Sequence, residues 1–141
     1  MNRCLVLGCI FLIGACSADS TAGEPDNSAS LVINLQGVRG SSGKVLLAIY
    51  DKAKEFGKNG KSVAWIAVPA GTRSIALADF PVGKFAISAF HDQNENNDLD
   101  MKNGAPVEGY GNSGDVGKWV DPTFSEAAFE DRTVNVKIRY L

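Results

Sequence analysis

From Leu31 onward, apolar residues fall in short runs separated by polar or glycine-rich stretches. In the first run Leu31, Ile33 and Leu35 alternate with Val32, Asn34 and Gln36, the period of a strand with one buried face. After the turn GVRGSSG, the run KVLLAIYD is apolar almost throughout, which predicts a strand covered on both faces and paired with the first as a hairpin. Asp51 to Lys61 is a charged loop in which Phe56 is expected to plug the edge of the core. SVAWIAV then reads as a third strand, PAGT as a turn and RSIALADF as a fourth. Pro81 and Gly83 make Phe80–Phe85 a tight turn into the fifth strand, KFAISAFH. The last strand, TVNVKIRY, sets Val134, Val136, Ile138 and Tyr140 on one face and Asn135, Lys137 and Arg139 on the other. Between them DPTFSEAAFE fits either one helical turn or an irregular crossing segment, and Trp65 and Trp119 are expected to pack in the core or at its rim. Six to seven short strands without a sustained helical period predict an all-β fold: a single antiparallel β-sandwich of immunoglobulin-like or transthyretin-like type, with one long ordered loop.

Composition narrows the chemistry. The 141 residues supply one domain with a sizeable core, and Lys+Arg 14 against Asp+Glu 16 leaves no basic face for nucleic acid. All three cysteines, Cys4, Cys9 and Cys16, lie at the N-terminus, so the body has no thiol for a disulfide, a zinc site or a nucleophile.

The N-terminus reads as an address. Arg3 precedes CLVLGCIFLIGA, too short to span a bilayer comfortably and of the form of a secretory signal peptide. Its end, Leu12-Ile13-Gly14-Ala15-Cys16, resembles a bacterial lipoprotein signal, which implies removal of residues 1–15, lipidation of Cys16 and a membrane anchor. Ser17, where Asp is absent, implies the outer membrane facing the periplasm; a cut at or near Ala15 or Ala18 without lipidation would give a periplasmic or secreted protein instead. Loss of Arg3 leaves 13 basic against 16 acidic residues in the mature chain. Residues 16–29 hold the lipidated cysteine and a flexible tether with no large apolar residue, and 30–141 form the domain.

The long loop, His91 to Ser113, carries the candidate site. From Asp92 it reads Asp-Gln-Asn-Glu-Asn-Asn-Asp-Leu-Asp, so Asp92, Asn94, Asn96, Asp98 and Asp100 match the odd-numbered ligand positions of an EF-hand calcium loop. Asn97 stands at the glycine position, and Asn is a residue that tolerates the left-handed conformation. The twelfth position is Asn103 where the motif has a bidentate Glu, so Glu108 is the candidate to complete an all-oxygen Ca²⁺ site. The alternative is an ion-free loop of Asx turns. His91 is the only histidine and the sole candidate for general-base chemistry, and no nucleophile is visible beside it. A hydrogen bond from His91 that fixes the loop fits the residues better. Tyr110 and Ser113 are candidates for a ligand or partner pocket.

The segments Phe80-Pro81-Val82-Gly83-Lys84-Phe85-Ala86-Ile87, His91-Asp92-x-Asn94-x-Asn96-x-x-Leu99-Asp100, Gly104-x-Pro106-x-Glu108-Gly109-Tyr110-Gly111 and Pro122-x-Phe124-x-x-Ala127-x-Phe129 resemble the bacterial domain of unknown function 2141. Asn112 and Gly114 depart from that family's usual Gly-Tyr-Gly-Phe-Ser-Asn. The resemblance implies an exported single-domain β-sandwich and brings no activity. The expectation is an envelope lipoprotein that acts as a Ca²⁺-stabilised binding module for an envelope protein, a glycan or a small ligand. A hydrolase-type enzyme built on His91 and a purely structural domain are the alternatives.

Overall fold

The computed structural model describes residues 28–57, 60–115, 117 and 121–141. The signal segment, Cys16, nearly all of the tether, and Trp119 lie outside them. Two sheets form the body. One has the order β4–β1–β9, from β1 (Ser28–Gln36), β4 (Ser74–Pro81) and β9 (Thr133–Lys137). The other has the order β3–β2–β5–β8, from β2 (Lys44–Tyr50), β3 (Ala64–Pro69), β5 (Ala86–Asp92) and β8 (Gly109–Asn112). A small hairpin of β6 (Met101–Lys102) and β7 (Ala105–Pro106) lies within the long loop.

The β-sandwich is therefore present, and its core follows from strand alternation. Leu31, Ile33 and Leu35 of β1, with Ile75, Val134 and Val136 from its neighbours, meet Val45, Leu47, Ile49, Ile87 and Ala89 of the facing sheet in one cluster. Each Val, Leu or Ile among them contributes about 1.5–3 kcal/mol through removal from water.

Two pairings differ from the sequence expectation. β1 and β2 do not form a hairpin but lie in opposite sheets, because both edges of β1 are taken by β4 and β9. The GVRGSSG segment is thus a crossing between layers. The sandwich is also not wholly antiparallel: β1 and β9 run in the same direction and pair in parallel, Val32 opposite Thr133 through Gln36 opposite Lys137.

β2 is covered on both faces, as its unbroken apolar run requires, and six of its seven residues are buried. Its outward side chains Ala48 and Tyr50 join Phe56, Ala86 and Ala127 in a second, smaller cluster. Phe56 indeed caps this edge, edge-on to Tyr50 and to Phe124. DPTFSEAAFE resolves into one helical turn, α1 (Phe124–Ala127), whose Glu126 carboxylate accepts the Thr123 N–H and hydroxyl at 2.8 Å each. Those bonds, the backbone one foremost, hold the Glu126 carboxyl below its ordinary range.

Strand directions divide the sandwich into two ends. Ser28, Tyr50, Ala64, Pro81 and Ala86 mark one end, and Gln36, Lys44, Pro69, Ser74 and Asp92 the other. The long loop leaves from the second end.

Candidate functional site

At the base of the loop, His91 ends the inward-facing row of β5 and is wholly buried. Its Nε2 lies 2.7 Å from the carbonyl oxygen of Ser42, which can only accept, so Nε2 carries the proton. The Tyr140 hydroxyl then donates to Nδ1 at 2.5 Å and accepts the Arg39 N–H at 3.0 Å. The Tyr140 ring stands edge-on to the imidazole, with the Arg39 guanidinium over its face. Both nitrogens are thus engaged within the fold, and His91 joins the last strand to the 37–43 crossing. Those two bonds tie the base of the loop to the last strand and to the crossing.

Asp92 is also fully buried. Its Oδ1 accepts the Asn96 N–H at 3.1 Å and its Oδ2 the Asn97 N–H at 2.9 Å, which closes the first turn of the loop. Lys44 Nζ lies 3.7 Å from Oδ2 and donates to Asn97 Oδ1 at 2.6 Å, bringing a positive charge to a carboxylate shielded from water. Glu108 reaches back from the far side of the β6–β7 hairpin. Its Oε1 accepts the Gln93 N–H at 2.9 Å and its Oε2 the Asp100 N–H at 3.2 Å. Glu108 thus closes the loop, and the groups that it joins are backbone amides.

The tip is exposed from Gln93 to Asp98. Asn94 Nδ2 donates to Asp100 Oδ2 at 2.5 Å and Asn96 Nδ2 to Asp100 Oδ1 at 3.0 Å, so three side chains of the EF-hand-like series meet at one point. Asn94 Oδ1 and Asn96 Oδ1 accept the N–H groups two residues ahead at 3.1 and 2.9 Å, each an Asx turn. Asp98 stands apart and accepts only the Leu99 N–H, at 2.9 Å. Asn97 takes the left-handed conformation expected of it, with φ 65°, and Glu95 takes it as well, with φ 61°. Among the described residues no three carboxylate, imidazole or thiol groups are disposed as a metal cluster, so an ion at the tip would rely on amide or backbone oxygens beside Asp100.

The Gly109-Tyr110-Gly111 block has a steric origin. β8 lies against the continuation of β9, with Tyr110 and Arg139 exchanging backbone hydrogen bonds at 2.9 and 2.8 Å. A β-carbon on Gly109 would strike the Tyr140 ring and Ile138, and one on Gly111 the Lys137 backbone. Only glycine permits the last strand to close over His91. Ser113 is placed structurally too: its hydroxyl accepts the Ile87 N–H at 2.9 Å and donates to the Ala127 carbonyl, joining α1 to β5.

The family model described as an uncharacterized protein conserved in bacteria, DUF2141, matches residues 33–139. The chain belongs to the DUF2141 family. No curated protein and no solved structure matches it. The match runs from the middle of β1 past the end of β9, so it spans the base of the DUF2141 loop and every residue of its tip.

Beside the loop this DUF2141 domain has a second concave feature that the sequence reading missed. The outer face of the four-stranded sheet carries Leu46, Ala48, Phe90, Tyr110 and Trp65 on the floor of a groove of about 350 Å³. Phe56 and Pro122 stand at one side and Asn97, Asp98 and Leu99 at another, with Ser88, Asn112 and Asp121 supplying polar edges. Burial pushes the Tyr50 phenol, also on this lining, up from its ordinary value. Trp65 is not a core residue: it is 57% exposed on the edge strand β3. The signal was the unbroken apolar run of β2, which requires outward-facing partners for Leu46 and Ala48.

Proposed function

We propose that this DUF2141 protein is a non-catalytic binding module of the cell envelope, held at a membrane through lipidated Cys16, with its ligand surface in the groove on the outer face of the four-stranded sheet. The observation that carries the proposal is the composition of that groove. An exposed indole, Trp65, and the Tyr110 ring flank an apolar floor edged by the hydroxyl, amide and carboxylate groups of Ser88, Asn112, Asp98 and Asp121. Concave apolar surface with a few directional polar groups is the usual form of a small-ligand site. Flat aromatic faces beside amides and carboxylates suit a sugar ring, whose C–H face stacks while its hydroxyls hydrogen-bond, so the ligand class is a glycan. The N-terminal sequence supports export and anchoring. The engagement of His91, Asp92 and Glu108 in bonds within the fold supports binding over catalysis.

Titration of the mature chain with soluble envelope-type oligosaccharides, followed by calorimetry, tests the glycan assignment. Binding should be lost in Trp65→Ala, whose exposed position leaves the melting temperature within a few degrees of wild type. Absence of heat with every oligosaccharide, or binding unchanged in Trp65→Ala, overturns it.

Ca²⁺ at the tip is the second part of the proposal, supported by the meeting of Asn94, Asn96 and Asp100 side chains and by the left-handed turn at Asn97. An ion at a hundredfold excess over its dissociation constant stabilises the folded state by about 2.7 kcal/mol. For a domain of this size that raises the melting temperature on the order of 10 °C. Equal melting temperatures in Ca²⁺ and in chelator remove the ion and leave the groove untouched.

A further inference from the structure

The two ends of the sandwich differ in chemistry, and the chain enters at one of them. Ser28 lies opposite Pro81, so the tether arrives beside the 82–85 turn. That entry point is fixed: the Arg132 guanidinium donates to the carbonyls of Ala29, Ser30, Phe80 and Pro81. Beside it Val63, Phe80, Pro81, Val82 and Phe85, with Asp51 and Lys84 as its charged members, line a shallow concavity of about 370 Å³. Val63 and Val82 are about half exposed there, at 49% and 52%.

The loops around this concavity bring Lys52, Lys54, Lys61 and Lys84 against Asp51 and Glu55. The adjoining 121–132 segment adds Asp121, Glu126, Glu130 and Asp131 against Arg132, with Glu126 engaged in the cap of α1. Three of the lysines hold surface ion pairs, Lys84 with Glu130 at 3.5 Å, Lys54 with Glu55 at 3.7 Å and Lys52 with Asp51 at 4.0 Å, which anionic headgroups can replace because exposed pairs are weak. At the opposite end the 93–108 loop has the reverse balance, Glu95, Asp98, Asp100 and Glu108 against Lys102. β1 separates the two ends by nine residues, about 30 Å at 3.3 Å per residue. That is several Debye lengths at physiological salt, so the acidic loop would lie beyond the field of a charged surface at the first end.

We propose that the Val63–Val82 face rests on the lipid surface that carries the anchor, with the valines at the headgroup boundary and the lysines reaching past them to phosphate. The DUF2141 loop, which supplies Asn97, Asp98 and Leu99 to one side of the groove, then faces away from the membrane. The inference rests on the anchoring reading and adds an orientation to it. Chain length favours it: the twelve residues from Cys16 to Asn27 can span at most about 43 Å, which keeps this end near the bilayer that holds the anchor. Amphipathic lysines beside small apolar groups suit the headgroup region.

The mature lipidated chain has no free thiol once Cys16 is acylated, so single cysteines can be introduced cleanly. Val82→Cys and Val107→Cys form a matched pair, since the two valines are 52% and 55% exposed at opposite ends. Each is labelled with an environment-sensitive fluorophore and added to vesicles of phosphatidylethanolamine and phosphatidylglycerol carrying a headgroup nitroxide lipid. The label at Val82→Cys should be quenched at least about twofold more than that at Val107→Cys, and its emission should shift to the blue. Equal quenching, or more at Val107→Cys, overturns the orientation. The intact mass of the N-terminal peptide separates the two claims: an unacylated Cys16 overturns the anchor and the orientation with it, whereas an acylated Cys16 with equal quenching overturns the orientation alone.

Discussion

At the base of the long loop His91 and Asp92 are excluded from solvent and Glu108 nearly so, whereas at its tip Glu95, Asn96, Asn97 and Asp98 are exposed. Both regions are built from oxygen- and nitrogen-bearing side chains that sequence alone treats as equivalent ligands. At the base, His91 reaches Ser42 and Tyr140, Glu108 closes the loop onto Gln93 and Asp100, and buried Asp92 holds the first turn at Asn96 and Asn97. At the tip, Asn94, Asn96, Asp98 and Asp100 bond within six residues of one another, and Asn97 also accepts from Lys44. Burial explains the division. A buried polar group must be paired at about the full desolvation cost, so the base is committed to the fold. Water can replace any bond at the tip, so the tip is where the proposed ion would find partners to exchange.

Breaking the base should give the largest effect. His91→Ala removes a buried ring and leaves the Ser42 carbonyl without its donor and the Tyr140 hydroxyl without its acceptor. The expected loss is about 3–5 kcal/mol in urea unfolding, the sum of a cavity and two unpaired groups. A loss below about 1 kcal/mol would mean that His91 is not the tie between the last strand and the 37–43 crossing.

Glu108→Gln is smaller and more discriminating. It keeps the shape but turns one acceptor into an NH₂ group facing either the Gln93 or the Asp100 N–H. Stability without Ca²⁺ should fall by about 1–3 kcal/mol. If Glu108 instead acted only as an ion ligand, the variant would match wild type in chelator and differ only in Ca²⁺. Melting curves in the two conditions distinguish these outcomes.

How much of this was legible depended on whether the signal was local. The rows Leu31-Ile33-Leu35 and Val134-Val136-Ile138 were readable because strand alternation is a neighbour rule, and Asn97 because the left-handed conformation selects its residue type. Glu108 was found by elimination as the acid that could return to the loop. It does return, but to backbone N–H groups, which no motif advertises. The β1–β2 pairing was misread because GVRGSSG has hairpin chemistry, while the true partners of β1 lie some 40 and 100 residues away and are chosen by the packing of the whole core. The pairing of His91 with Tyr140, across 49 residues, and the exposure of Trp65 were invisible for the same reason.

The smallest effect belongs to the tip and sharpens the contrast most. Asp98 accepts one hydrogen bond, from the next residue, and is exposed. Asp98→Ala in chelator should therefore lie within about 0.5 kcal/mol of wild type, as surface substitutions do. In Ca²⁺ the same variant should lose part of the ion's stabilisation, because a carboxylate near the cation contributes whether or not it coordinates directly. The signature is thus a variant silent without the ion and visible with it, the mirror image of Glu108→Gln. A loss above about 1 kcal/mol in chelator would show that the tip helps hold the fold, and the boundary between base and tip would then have to move outward past Asp98.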